Sequence, residues 1–315
     1  MPHTPYITVV IPVYNEEGNL ETLFDRLYPV MQGIGRPFEI ILTDDGSRDR
    51  SLAILTDLAA RHPEVRVVEF NGNFGQHMAI MAAFEISRGE IVITLDADLQ
   101  NPPEEIPKLV AEVEKGHDVV GSIRQKRQDT FFRKTASLMV NMVTRKMTGM
   151  RMSDYGCMLR AYHRNVIDNI NRCQEASTFI PALAQTFAAS PSEVQVAHAE
   201  RSEGESKYSL YKLIRLNFDL MTGFSVVPLQ LFALLGVLTS LAATAFAIFL
   251  LIRRFIVGAE VEGVFTLFAI LFFFVGITIF GIGFVGEYVG RIYQEVRRRP
   301  RYVVRRIHES TNKNL

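Results

Sequence analysis

Asp96-Ala97-Asp98 closes a short apolar run, Ile91-Val92-Ile93-Thr94-Leu95, and Gln100 follows two residues later. Two carboxylates and an amide oxygen at a strand end are oxygen donors of the kind that hold a hard divalent cation, Mg²⁺ or Mn²⁺. A cation there can bridge a diphosphate and neutralise the charge that grows as a nucleoside diphosphate departs. Asp-x-Asp also occurs in loops that have no chemistry, so its position in the chain decides its weight. A second acidic pair, Asp44-Asp45-Gly46-Ser47, closes an earlier apolar run. Gly46 suits a tight turn, and Ser47 or Asp49 can cap the helix that follows. Capping leaves the two adjacent acids unexplained, and one of them can accept hydrogen bonds from a base or a ribose.

The elements that must position these acids are legible in the spacing. Apolar, β-branched runs begin at Ile7, Phe38, Val65, Ile91 and Asp118, 26–31 residues apart, with amphipathic stretches between them. Strands apolar on both faces alternating with helices predict a mostly parallel sheet covered by helices on both faces. In such sheets ligands bind beyond the carboxyl ends of the strands. The polar clusters Tyr14-Asn15-Glu16, Asp44-Asp45, Asn71-Gly72-Asn73 and Asp96-Ala97-Asp98 all fall at those ends.

The chain has 315 residues, a length that fits one or two domains, and a formal net charge of zero, which argues against broad nucleic-acid binding. Its hydrophobic fraction of 48% is concentrated in the last third. The 27 residues 226–252 and the 24 residues 263–286 carry no charge, and each is long enough to cross a hydrocarbon core of about 30 Å as a helix. Lys207, Lys212 and Arg215 precede the first stretch and Arg297, Arg298 and Arg299 follow the second. Positive charge at the outer ends predicts that both termini face the cytoplasm. Residues 208–225 interleave Leu210, Leu213, Ile214 and Leu216 with Lys212 and Arg215, the pattern of a helix lying in the headgroup layer. The expected organisation is therefore a cytoplasmic domain over 1–207, an interfacial helix over 208–225, two spans over 226–286, and a basic cytoplasmic tail over 287–315. Met1-Pro2-His3-Thr4-Pro5 lacks the basic region and apolar core of a signal peptide, so the first domain is expected on the cytoplasmic side, and Cys157 and Cys173 suit reduced thiols better than a disulfide framework or a zinc site.

Ile11-Pro12-Val13-Tyr14-Asn15-Glu16, Asp44-Asp45-Gly46-Ser47 and Asp96-Ala97-Asp98, in this order on successive strand ends, resemble the donor-binding half of the inverting glycosyltransferases of family two. Those enzymes have the Rossmann-like GT-A fold, and the resemblance covers residues 7 to about 125. The chain contains no Trp, so the Gln-x-x-Arg-Trp motif of the processive polysaccharide synthases is missing. Arg133-Lys134-Thr135-Ala136-Ser137, and Arg201 with Gly204-Glu205-Ser206-Lys207-Tyr208 just before the spans, instead resemble the polyisoprenyl-phosphate branch. A narrower likeness rests on residues 127–134, on Asp154-Tyr155-Gly156-Cys157-Met158-Leu159-Arg160 and on Ser177-Thr178-Phe179-Ile180-Pro181. It points to the bacterial members that load undecaprenyl phosphate with 4-deoxy-4-formamido-L-arabinose for lipid A modification.

The resemblance implies a set of roles. Asp96, Asp98 and Gln100 would hold the metal, and Asp98, Asp154 and Arg201 would serve catalysis. Pro12, Tyr14, Glu16, Asp45, Asp96 and Lys207 would bind the nucleotide-sugar donor. Arg124, Arg133 and Ser137 would meet the acceptor phosphate, and Arg133 and Ser137 lie one helical turn apart. A solvated basic helix face is the plainer reading of Arg124, Arg127 and Lys134. Partners implied are a nucleotide sugar, undecaprenyl phosphate and the bilayer of the bacterial inner membrane. Gly286-x-x-x-Gly290 with Gly276, Gly281 and Gly283 is a candidate packing face for a homo-oligomer. UDP-glucose and GDP-mannose remain alternative donors, and a membrane scaffold with a vestigial nucleotide site remains a rival of another class. His77 and His198 read as structural.

Overall fold

The structure, a computed structural model, describes residues 4–124, 157–173, 179–197, 227–257, 264–297 and 300–310. The five apolar runs are strands: β1 (Ile7–Val13), β2 (Phe38–Asp44), β3 (Val65–Phe70), β4 (Ile91–Thr94) and β5 (Val119–Arg124). The first four pair in parallel in the order β4-β1-β2-β3. Three further strands complete an eight-stranded sheet of order β7-β5-β6-β4-β1-β2-β3-β8. β6 (Arg160–His163) runs antiparallel between β4 and β5 and so separates two strands that the spacing alone would make neighbours. β7 (Pro191–Val196) pairs in parallel with β5, and β8 (Val304–Glu309) closes the other edge antiparallel to β3.

Alternation along β1 sorts its side chains onto two faces. Ile7, Val9, Ile11 and Val13 join one core with α1 (Leu20–Ile34), α2 (Ser51–Arg61) and α4 (Ile106–Glu114). Leu20, Leu23, Phe24, Leu27 and Met31 form the buried stripe of α1, spaced at helical period. On the opposite face α3 (Gln76–Ile86) packs on β1 and β2, and its run from Ala79 to Phe84 is buried throughout. Each of the larger side chains fully withdrawn from water contributes about 1.5–3 kcal/mol. Helix α5 (Arg164–Arg172) and helix α6 (Ile180–Phe187) pack on each other.

One charged group sits inside the face covered by α3. The Glu39 side chain is 3% exposed and accepts hydrogen bonds from Thr8 Oγ1 at 2.8 Å, from the Arg88 backbone N–H at 2.6 Å and from the Arg88 guanidinium at 2.9 and 3.1 Å. Arg66 approaches the same carboxylate at 3.4 Å. A carboxylate out of water is tolerated when its charge is paired and its oxygens are satisfied, and here both conditions hold. Thr8 Oγ1 also accepts from Gly89 N–H at 2.9 Å, so the network locks the start of β4 against β1 and β2.

The second compact unit contains α7 (Val227–Val257) and α8 (Val264–Val296). Their windows Leu229–Phe246 and Ile270–Tyr293 have mean hydropathies of 1.9 and 2.1. Leu231, Leu241, Phe272 and Ile282 are exposed on them, apolar surface that bilayer hydrocarbon accommodates and water does not. The glycine that matters within the pair is Gly281, where a Cβ would lie 2.5 Å from the Phe232 ring. At Gly276, Gly283, Gly286 and Gly290 a Cβ would meet nothing within 4 Å. The stretch read as a basic tail contributes the last turns of α8 and then β8, which belongs to the sheet.

Replacing Glu39 with Ala strips one partner from a buried ionic network, and on that scale the change costs about 3–5 kcal/mol. Thermal unfolding in detergent, followed by circular dichroism, should show a clear fall in midpoint. A midpoint equal to the wild type would contradict the role given to this carboxylate.

Candidate functional site

The loops at the carboxyl ends of β1 and β2 satisfy each other's backbone. Asn15, in the left-handed region at φ 54°, donates its N–H to Ser47 Oγ at 3.1 Å, and Arg48 N–H donates back to Asn15 Oδ1 at 2.8 Å. Glu16 N–H donates to Ser51 Oγ at 2.9 Å, Glu17 N–H to Asp49 Oδ2 at 3.2 Å, and Arg50 N–H to Glu17 Oε2 at 2.8 Å. Ser47 therefore crosses to the β1 loop, while Asp49 does both: its Oδ2 takes the Glu17 N–H and its Oδ1 accepts from Ser51 N–H at 3.0 Å, capping the first residue of α2, whose N-cap residue, Arg50, makes no side-chain bond. The result is a polar rim held without regular secondary structure.

Asp45 ties in the third loop. Its Oδ1 accepts from Phe74 N–H at 2.6 Å and its Oδ2 from Gly75 N–H at 2.9 Å, while its backbone carbonyl accepts from Asn73 Nδ2 at 3.2 Å. Burial raises the Asp45 pKa, the two N–H donors pull it down, and the charge of Asp44 raises it again. Asp44 is raised as well, mainly by burial. Just after these two acids the chain passes so close to Gly72 that a Cβ on Gly46, at φ 71°, would sit 2.6 Å from the Gly72 carbonyl carbon. Only glycine fits there.

At the end of β4, Asp96 is gripped on both oxygens. Gln76 Nε2 donates to Oδ1 at 2.7 Å, and the buried Asn101 donates Nδ2 to Oδ2 at 3.3 Å. Asn101 is itself held by Cys157 Sγ, whose partner Ser122 also donates to the Leu159 carbonyl. Leu99 adopts φ 61°, a left-handed conformation that costs a side-chain-bearing residue about 1–2 kcal/mol, and this turn brings Gln100 N–H to Asp98 Oδ1 at 3.2 Å. The Asp96 carboxyl is pushed up to about 7, first by burial and then by the charges of Asp98 and Glu16, against the hydrogen bonds from Gln76 and Asn101. Part of Asp96 remains open at the rim, but most of it is screened from bulk water, so burial dominates.

A buried carboxyl disfavoured in its charged form beside a second carboxylate fits a divalent cation in donor type and charge. Among the described residues no group of three or more His, Cys, Asp or Glu side chains is arranged as a ligand set. Gln100 meets Asp98 through its backbone N–H.

The structure thus brings together Glu16, Asp45, Asp96, Asp98 and Gln100 on the loops after β1, β2 and β4, with Pro12 in β1 and Tyr14 exposed just beyond it. Arg124 is the last residue of β5. Asp154, Arg133, Ser137, Arg201 and Lys207, and the stretch 208–225, lie outside the described residues. Residue type and spacing do not single out Gln76, Asn101 or Cys157 as site residues. For Gln76 a signal exists, since a polar residue directly after Gly75 opens the helix that follows β3. His77, beside it, is neutral: burial lowers its pKa to about 4, and its ring meets Phe179 edge-on at 5.3 Å.

Residues 8–170 match the family described as glycosyl transferase family 2, and the chain belongs to that family. Over 304 residues it is 53% identical to the undecaprenyl-phosphate 4-deoxy-4-formamido-L-arabinose transferase of Pectobacterium atrosepticum, covering 95% of this chain and 93% of that protein. The transferase of the same name from Pseudomonas aeruginosa is 52% identical over 308 residues, with 97% and 91% covered. Among solved structures, glucosyl-3-phosphoglycerate synthase from Mycobacterium tuberculosis, in complex with Mn²⁺, UDP and glucosyl-3-phosphoglycerate, superposes with a TM-score of 0.53 at 18% identity. That match covers 70% of this chain and 78% of the other, and it establishes a shared fold.

The Asp96 pKa carries a pH signature. Its folded value near 7 lies above the ordinary 3.8, so between these values the folded protein holds a proton that the unfolded chain releases. Stability from this group is full below about pH 4 and is lost as pH rises through 7. In chelator, the wild type should therefore lose more stability than Asp96→Asn between pH 5 and 8, by about 1 kcal/mol after allowing for the open rim. Parallel pH profiles of the two proteins in thermal unfolding would rule this out.

Proposed function

We propose that this protein transfers 4-deoxy-4-formamido-L-arabinose from UDP to undecaprenyl phosphate, with inversion at the anomeric carbon, as a step of lipid A modification. The observation that carries the proposal is the identity, sustained over nearly the whole chain, with transferases of that name. The site supports it with two acidic strand ends, at Asp45 and at Asp96 and Asp98, facing one rim.

In the proposed reaction an acceptor phosphate oxygen forms a bond to the anomeric carbon as the bond from that carbon to the UDP oxygen breaks, and UDP leaves with the electron pair. The acceptor phosphate is anionic at neutral pH, so no general base is needed to remove a proton. Catalysis then depends on positioning the reactants and on stabilising the leaving charge. A divalent cation, Mg²⁺ or Mn²⁺, would supply that charge stabilisation when bound to Asp96, Asp98 and Gln100. Asp45, Glu16, Pro12 and Tyr14 bound the nucleoside side of the rim. Arg133, Ser137 and Arg124 are assigned to the acceptor phosphate, Arg201 and Lys207 to the diphosphate, and Asp154 to the sugar.

The proposed setting is the bacterial inner membrane with both termini in the cytoplasm. The membership of β8 in the same sheet as β1–β7 supports this reading, since it favours one side of the bilayer for the chain before and after the two candidate spans. Positive charge at the outer ends of the spans makes that side the cytoplasm. A reporter fused after Leu315 should be active as a cytoplasmic fusion; activity only as a periplasmic one would reverse the orientation.

The direct assay follows nucleotide release and the lipid product by mass spectrometry, using full-length protein, undecaprenyl phosphate and a panel of UDP-formamidoarabinose, UDP-glucose and GDP-mannose. Turnover should occur with the first donor, stop in excess chelator, and fall at least about a hundredfold in Asp98→Asn, the scale of losing one preorganised electrostatic contact. Arg133→Lys should raise the KM for the lipid while leaving UDP affinity intact, because Lys cannot reproduce a two-pronged grip on phosphate. Preference for another donor would reassign the sugar, and no turnover with any donor would favour a scaffold.

A further inference from the structure

Six residues after the last residue of α8, Tyr302 packs into the wall behind the third loop of the rim. Its ring stacks on Phe70 with centroids 5.1 Å apart and planes 14° from parallel. Phe70 in turn meets Phe74 edge-on at 5.5 Å, and Phe74 N–H is the donor at 2.6 Å to Asp45 Oδ1. The phenol hydroxyl reaches Glu85 Oε2 at 2.5 Å, near the end of α3, the helix whose first residue, Gln76, holds Asp96. The neighbouring backbone adds two ties. Asn71 N–H donates to the Val303 carbonyl at 3.1 Å, and Arg301 donates to the Cys173 carbonyl at 2.7 Å. The segment Asn71–Gln76 links the two acidic sites, and Tyr302 supports it at Phe70 and at α3.

We propose that Tyr302 is a positioning residue for the nucleotide donor, so that the chain emerging from the second span completes the donor site it never touches. This rests on the reading that the loops around Asp45 and Asp96 hold the donor diphosphate and its nucleoside. An edge strand needed only for stability would be served by its ion pairs: Arg66 to Glu309 at 2.7 Å, and His308 and Arg305 to Glu69 at 2.8 and 3.2 Å. None of those pairs reaches the loop. The aromatic stack does, and it transmits geometry because the rings pack in fixed relative orientations.

The test is UDP binding by calorimetry to the full-length protein in detergent with Mn²⁺, together with steady-state kinetics and thermal unfolding. Tyr302→Ala should weaken UDP binding about fivefold, the order expected from losing one aromatic pair, and raise the donor KM with kcat at saturating donor little changed. Tyr302→Phe keeps the stack and should restore affinity to within about twofold on the same scale. His308→Ala should lower the unfolding midpoint and leave UDP affinity at the wild-type value. If Tyr302→Ala does not fold, Tyr302→Leu, which retains bulk without a stacking ring, replaces it with the same expected loss.

Wild-type UDP affinity in Tyr302→Ala or Tyr302→Leu, alongside weakened binding in Asp45→Ala, overturns the proposal and leaves the donor site standing. So does a Tyr302→Phe variant as weak as the alanine, or a His308→Ala variant that loses as much affinity as Tyr302→Ala. Unchanged UDP binding in Asp45→Ala overturns the donor-site reading itself, and this proposal with it.

Discussion

The two hydrogen bonds from Phe74 and Gly75 to the Asp45 carboxylate hold the rim together. A parallel sheet covered on both faces sends its polar residues out only where the strands end, and the loops there have no ladder to satisfy their N–H groups. Asp45 meets that demand for the loop after β3, as Ser47, Ser51, Asp49 and Glu17 do between the loops after β1 and β2. Because α3 begins at Gln76, right after that loop, the same bonds place the amide that holds Asp96. The acidic end of β4 is thus oriented by a residue from the loop after β2, through a short stretch of loop and helix.

Much of this architecture is legible in the amino-acid sequence, for a physical reason. β1 to β5 read as mostly apolar runs, even with Glu39 inside β2 and Arg66 and Glu69 inside β3, and three polar or acidic clusters follow strand ends in the order the family requires. β6 reads as Arg-Ala-Tyr-His and hides a fully buried arginine, so neither apolarity nor alternation marks it. β7 and β8 are edge strands, partly exposed and rich in polar residues, and β8 is embedded in a basic run that reads equally well as a tail. Their pairing is long-range information that local pattern does not contain.

Within the site, the aspartates stand out by type and spacing, whereas their supports do not. Asn101 and Cys157 are 56 positions apart and share a hydrogen bond through the fold alone. Asp45 illustrates a different gap. From sequence it is a ligand for a base or ribose, yet in the structure both of its oxygens already accept backbone N–H groups, so its first task is to shape the loop. Leu99 and Asn15, both at positive φ without being glycine, are likewise invisible to composition, and strain of this kind concentrates where a loop must present functional groups.

Asp98, beside Asp96, is assigned a cation that at the same time contacts the donor diphosphate, and the proposed chemistry stands or falls on that double contact. Electron–nuclear double resonance on Mn²⁺ bound with UDP to the full-length protein, labelled with ¹³C at the aspartate carboxyl carbons, reads both contacts in one sample. The expected result is ³¹P and ¹³C couplings to the same Mn²⁺ in the wild type, with the ¹³C coupling reduced in Asp98→Asn. A ³¹P coupling with no ¹³C coupling, unchanged in the variant, would place the metal on the nucleotide alone and contradict the assignment.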